Sequence, residues 1–264
     1  MNLILFEPQD LGQPLPRTDR RAIHLLDVLR RQAGDNFDAG LVNGPHGKGT
    51  LVAVGPDALT LSFNWGEPAS APLPLTLIVG LTRPQTARDL LREMTTLGVT
   101  SLQFVATEKT EPGYATSTLW SSGEWRRQVI AGAEQAFDPR LPEIRWGHPL
   151  AEALADVPAD AARVALDNYE ATAPLEPGFA GPEQGVVLAI GPERGWTKKD
   201  RERLRAARFP LLHLGPRVLR VETAAIAAIA LIRAPRRWRE RRWAVVARVS
   251  RPVRSRSKAA DIWA

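Results

Sequence analysis

The chain has 264 residues, 44% apolar and 24% charged, which suits a buried core and excludes disorder along most of its length. It has no cysteine, so neither a disulfide framework nor a thiolate metal site is available, and a reducing cytoplasm is expected. The formal net charge of +6 misleads: from Arg233 onward eleven Lys/Arg against two Asp/Glu give +9 and leave −3 for residues 1–232, so bulk charge is no argument that the body binds nucleic acid.

The segment Met1–Pro8 has no basic leader before its apolar residues and meets Glu7 and Pro8 too soon for a signal peptide. Residues 1–68 read as a small β-rich unit with one helix, capped by Thr18 or Asp19 and running through Arg31. Short strands are expected at Phe37–Val42, Gly49–Val54 and Leu59–Phe63, separated by the turns Asn43-Gly44-Pro45 and Gly55-Pro56-Asp57. Pro68-Ala69-Ser70-Ala71-Pro72 reads as a linker.

From residue 73 to 234 strands and helices alternate. The run Leu75–Leu81 is followed by a helix from Gln85 to Leu97, a strand at Val99–Ala106, and a helix opened by Ser121-x-x-Glu124 as a capping box and ending near Phe137. Strands at Glu143–Trp146, Arg163–Asp167, Gly185–Ile190 and Leu211–Leu214 complete an α/β unit, whose alternation implies a parallel sheet covered on both faces. A helix at Ala225–Arg233 closes it, and the apolar stretch Ala224–Ile232 falls far short of the ~20 residues of a membrane span. Residues 235–264 form a basic tail. By composition it is a solvated appendage; alternatively Trp238 and Trp243 make it an RNA-gripping arm.

Two loops carry the chemistry. Ile190-Gly191-Pro192-Glu193-Arg194-Gly195-Trp196-Thr197 follows a buried strand, where small residues let backbone approach a ligand. Thr197, with Asp200 three residues on, caps the next helix and presents free N–H groups there. A tight turn with no ligand is the plain alternative. The second loop, Gly215-Pro216-Arg217-Val218-Leu219-Arg220-Val221-Glu222-Thr223-Ala224-Ala225, places two arginines and a Glu-Thr pair between a strand and an alanine-rich helix. Arginines at the carboxyl end of a strand usually face a cleft, although pairing with Glu193 or Glu222 would make them structural. His24, His46, His148 and His213 match no ligand spacing, so no metal is expected.

Together, Gly191-Pro192-Glu193-x-Gly195 and Leu214-Gly215-Pro216-Arg217-Val218-Leu219-Arg220-x-Glu222-Thr223-Ala224 resemble the RsmE family, SPOUT-superfamily methyltransferases of uridine N3 in 16S rRNA. His24-Leu25-x-x-Val28-Leu29-Arg30, Gly34-Asp35, Thr96-Leu97-Gly98-Val99, Ala133-Glu134-Gln135 and Pro142-Glu143-Ile144 extend the likeness over nearly all of residues 1–234. The resemblance implies a PUA-like RNA-binding β-barrel over 1–68 and an α/β trefoil-knot methyltransferase domain over 73–234. It implies S-adenosyl-L-methionine (SAM) held by Leu166, Asp167, Ile190, Gly191, Pro192, Glu193, Gly195, Leu214, Gly215, Val218, Leu219, Thr223 and Ala224. It also implies a homodimer acting on 16S rRNA or the small ribosomal subunit. For this chain Arg220 and Glu222 become the catalytic candidates, with His24, Arg30, Lys48, Arg83, Gln135 and Arg217 as RNA contacts.

Several positions depart from that family's pattern. Arg194 stands where glycine is usual, and positive φ there would cost on the order of 1–2 kcal/mol. Val221 replaces a threonine, Glu93 and Thr96 stand in place of Lys and Glu, and Asp138-Pro139 replaces a small polar turn. Arg194 and Val221 favour a second reading, a catalytically silent RNA-binding or ribosome-assembly module. A SPOUT enzyme with another RNA target is a third, and a Rossmann dehydrogenase is disfavoured by the lack of G-x-G-x-x-G after the first α/β strand.

Overall fold

The computed structural model describes residues 3–67, 74–179 and 184–234. The expected linker and the basic tail with Trp238 and Trp243 lie outside the described residues.

The N-terminal unit contains β1 (Ile4–Phe6), β2 (Leu15–Pro16), α1 (Arg20–Ile23), β3 (Asn36–Leu41), β4 (His46–Val54) and β5 (Ala58–Trp65). Its sheet runs β1-β3-β4-β5-β2 and curls around Ile4, Phe6, Leu25, Phe37, Leu51 and Leu59. Two short strands, β1 and β2, went unseen in the sequence because three and two residues are too few to show an alternation. Asp19 does cap α1, accepting from the Arg21 N–H at 2.8 Å. The regular helix nevertheless ends at Ile23 rather than Arg31: a five-residue π turn, His24–Val28, follows, and Arg30 at φ 52° reverses the chain.

The larger unit contains β6 (Leu75–Gly80), α2 (Pro84–Thr96), β7 (Ser101–Ala106), α3 (Thr118–Ser121), α4 (Glu124–Ala136), β8 (Glu143–Pro149), α5 (Leu150–Ala155), β9 (Ala162–Leu166), β10 (Ala173–Pro174), β11 (Val186–Ile190), α6 (Lys198–Ala206), β12 (Leu211–His213) and α7 (Val221–Arg233). Its seven strands are ordered β10-β12-β9-β11-β6-β7-β8 and all pair in parallel. Alternate residues of β11 explain why it reads as one apolar run. Val186, Leu188 and Ile190 join the core under α2, α4 and α7, while Val187 and Ala189 join the opposite core with Leu150 of α5 and Leu204 of α6.

The expected capping box at Ser121 and Glu124 does not form. Ser121 is the last residue of α3, and the N-cap of α4 is Gly123 at φ 71°, with Glu124 turned to an ion pair with Arg88. The Thr197–Asp200 box does form, each side chain meeting the other residue's N–H at 3.1 Å. Helix α7 begins at Val221, four residues before the expected start.

Strand β12 sits between β9 and β10, which precede it in the chain. The segment after β9 passes outside β12, where the Leu175 N–H donates to the His213 carbonyl at 2.9 Å, and reaches α7, where the Gly178 N–H donates to the Leu231 carbonyl at 3.0 Å. The last strand and helix are thus bordered by an earlier segment of the chain, an order consistent with the expected trefoil-knot fold. The two units are clamped through α4. Leu3 and Leu5 pack on Ala133 and Ile130, Glu134 accepts from the Leu5 N–H at 3.3 Å, and Arg126 pairs with Glu7.

Candidate functional site

Strands β9, β11 and β12 are neighbours, so the loops at their carboxyl ends open at one place, beside the point where strand order reverses. They line a cleft of about 640 Å³. From the expected set it gathers Leu166, Asp167, Ile190, Gly191, Pro192, Glu193, Gly195, Leu214, Val218, Leu219 and Ala224, together with Arg83, Arg217, Arg220 and Glu222. The turns around Pro192 and Pro216 therefore face one cavity. Gly215 and Thr223 do not line it: Gly215 makes a turn at φ 103°, and Thr223 is exposed on α7.

The Gly191 turn is tight. A Cβ at Gly191 would come within 3.1 Å of Gly195 and Trp196 backbone atoms, so a side chain there would push the loop open. Trp196, 1% exposed, roots the loop in the core and its Nε1–H donates to the Leu166 carbonyl at 3.0 Å. On the outer side Lys109 Nζ donates to the Arg194 carbonyl at 2.9 Å and approaches the Trp196 carbonyl at 3.4 Å. The strain foreseen at Arg194 is not there: positive φ falls on Gly195, at 67°, and Arg194 is not among the non-glycine residues with positive φ.

The charges divide into bound and free. Asp167 is buried and its carboxylate is fully engaged: one oxygen accepts from the Tyr169 and Glu170 N–H groups at 2.8 and 2.6 Å, the other from Arg201 Nε at 2.7 Å. It shapes the loop after β9. Glu193 pairs with Arg83, accepting from its N–H at 3.0 Å with Nε at 3.6 Å. Neither Arg217 nor Arg220 forms an ion pair among the described residues, which removes the structural reading for both. Arg220 is the N-cap of α7 and Glu222 lies in its first turn.

The remaining expected contacts lie elsewhere. His24 and Gln135 line a second cleft, about 780 Å³, between the N-terminal unit and α4. Burial pushes the Glu134 carboxyl there above its ordinary range, against the Leu5 N–H and the charges of Arg20 and Arg21. Lys48 of β4 pairs with Asp38 of the neighbouring β3 at 2.6 Å, and Arg30 occupies the reversal after the π turn. Sequence reasoning missed Tyr169, Arg201 and Lys109. Contacts spanning 34 and 85 residues leave no local signal. Trp196 was discernible as a large aromatic in a glycine turn, a sign of an anchor.

Residues 69–233 match the family model described as RNA methyltransferase domain. Over 242 residues the chain is 33% identical to ribosomal RNA small subunit methyltransferase E of Treponema pallidum, covering 88% of this chain and 90% of that one. This chain belongs to the ribosomal RNA small subunit methyltransferase E family. A solved member from Neisseria gonorrhoeae, bound to S-adenosyl methionine, superposes with a TM-score of 0.71 at 25% identity, covering 87% of this chain and 95% of that one. A probable rRNA-methyltransferase from Porphyromonas gingivalis gives 0.72 at 26% identity, covering 85% and 94%. Both glycine loops lie within the matched residues 69–233.

Proposed function

We propose that this chain transfers the methyl group of SAM to N3 of a uridine in 16S rRNA, and that the cleft between β9, β11 and β12 is where transfer occurs. One observation carries the reading: the three loops close on one cavity with two unpaired arginines at its edge. Its size is that of a small-molecule site, and its walls suit a bent nucleoside: buried Leu166 and Ile190 for apolar contact, and Gly191 bare of a side chain where backbone must come close. These residues, with Leu214, Val218 and Leu219, would hold SAM, which supplies an electrophilic methyl on sulfur when bound.

The protein's own task follows from the acceptor. Uridine N3 carries a proton at neutral pH, so its lone pair becomes available only as that proton leaves and negative charge spreads to O2 and O4. Arg220, exposed and without an ion pair, is the group to meet that charge, and Arg217 is placed to grip a phosphate. Glu222 either takes the N3 proton or orients Arg220. The loops contribute position, worth up to about 10 kcal/mol in well-oriented reactions. The target base must be unstacked from the RNA to enter.

The N-terminal unit, with Arg30 and Lys48 exposed on it and His24 and Gln135 in the second cleft, is proposed as the rRNA-holding part. A homodimer is supported by the small, apolar outer face of α7, where Ile226 is 40% exposed beside Ala230. No helix among the described residues is long and apolar enough to cross a membrane, in keeping with a cytoplasmic enzyme. The silent-module reading loses one of its two supports, because Arg194 carries no positive-φ strain; Val221 is buried in the core at the start of α7. Mass mapping of methylated uridines in 16S rRNA, after incubation of small subunits with purified protein and SAM, should show one new N3-methyluridine. No incorporation alongside normal SAM binding would overturn the proposal.

A further inference from the structure

The most exposed aromatic ring at the cleft belongs to a residue that the reading above leaves idle. Tyr169 is 78% exposed and lines the cavity. Its ring lies beside the donor loop, since a side chain placed on Gly195 would meet Tyr169 Cε2 at 3.7 Å. A large exposed aromatic at a loop tip normally swings freely, but this one is held. Asp167 fixes the backbone by accepting from the Tyr169 N–H, and the guanidinium of Arg201 covers one side of the ring, 5.2 Å from its centroid. Arg201 is itself nine-tenths buried and locked to Asp167 at 2.7 Å. One side of the phenol is therefore backed by a cation while the rest faces solvent.

We propose that Tyr169 is a stacking platform for the unstacked pyrimidine, with Arg201 as its positioning residue. The inference rests on the methyl-transfer reading of this cleft. A base extracted from RNA loses its neighbours' faces and must find another; aromatic side chains supply one, and every base has a face to offer. The exposure decides between the two aromatic partners available. A nucleoside cofactor buries most of its surface, against walls such as Leu166 and Ile190, which are 8% and 4% exposed. A ring that is 78% exposed stands at the rim, where the polymer arrives. A guanidinium behind the ring also keeps it from turning into the cleft and occupying the base's place.

The test compares wild type, Tyr169→Ala and Tyr169→Phe by two measurements: steady-state methylation of small subunits, and anisotropy of a fluorescein-labelled rRNA fragment containing the target uridine. Losing one base–aromatic stack should raise the Kd for the fragment and KM for RNA by roughly 5- to 150-fold. SAM affinity, read by calorimetry, should stay within about twofold, and Tyr169→Phe should restore RNA binding. Two results overturn the proposal: unchanged RNA binding in Tyr169→Ala, or weakened SAM binding, which would assign the ring to the cofactor. If wild type binds the fragment but transfers no methyl, the methyl-transfer reading fails, while the anisotropy comparison still decides the role of Tyr169.

Discussion

Replacing Arg201 by leucine is the sharpest perturbation of the cleft. Its side chain is 9% exposed and that of Asp167 is 2% exposed, and they meet at 2.7 Å. Leucine keeps part of the apolar stem and leaves a buried carboxylate without its countercharge. Breaking such a pair from one side costs about 3–5 kcal/mol. Two backbone N–H groups still reach Asp167, so the loss should fall at the lower end, about 3 kcal/mol. At about 2–4 °C per kcal/mol for a chain of this size, Tm should drop by about 6–12 °C. Differential scanning calorimetry with and without SAM measures both the loss and the remaining cofactor stabilisation. The double variant Asp167→Asn/Arg201→Leu removes the stranded charge and should recover about 1–2 kcal/mol relative to Arg201→Leu alone. A single variant within about 0.5 kcal/mol of wild type, or a double variant with merely additive losses, would refute the reasoning.

Arg220→Ala should lower the methylation rate about 10²–10³-fold while leaving SAM affinity and Tm unchanged, because the side chain is exposed and makes no ion pair; full activity would remove it from the reaction. Gly195→Ala places a Cβ at φ 67° and should cost about 1–2 kcal/mol by denaturant unfolding, with weaker SAM binding. Glu134 is protonated more readily folded than unfolded, so its contribution to stability is complete below the unfolded value near 4.5 and is lost as pH rises through the raised folded value. Glu134→Gln should therefore be more stable than wild type at pH 7, and the gap should close in acid; a gap independent of pH would contradict the burial argument. Deleting residues 235–264 removes a strongly basic segment and should flatten the salt dependence of RNA binding without changing SAM affinity, which a salt titration by anisotropy checks.

The parts of the fold that were legible in the sequence are those with a local cause. Apolar runs such as Val186–Ile190 announce a strand buried on both faces, and Thr197 with Asp200 announces a helix start that the hydrogen bonds reproduce. The same capping logic failed at Ser121 and Glu124, because Arg88, 36 residues before Glu124, offers that carboxylate a charged partner. The helix expected to reach Arg31 shows a similar limit: its apolar spacing continues, yet the backbone slips into a π turn and reverses at Arg30. The two glycine loops could be recognised from their residues; the roles of Arg201 and Lys109 could not, since each acts across a distance in the chain that only the folded sheet closes.

Those long-range contacts bear on how a cleft made of three loops can be held in place. Loops are ordinarily the most mobile parts of a domain. Here two of the three are tied to neighbouring elements: the loop after β9 to α6 through Asp167 and Arg201, and the loop after β11 both to β9 through the Trp196 indole and to the β7 end through Lys109. The segment leaving β9 is further fastened to β12 and α7. The loops after β9 and β11 cannot shift without breaking these contacts. Donor and acceptor must be held to within a fraction of an ångström for transfer. On the proposed reading, the tied loops would provide this while Arg217, Arg220 and Tyr169 stay exposed at the rim.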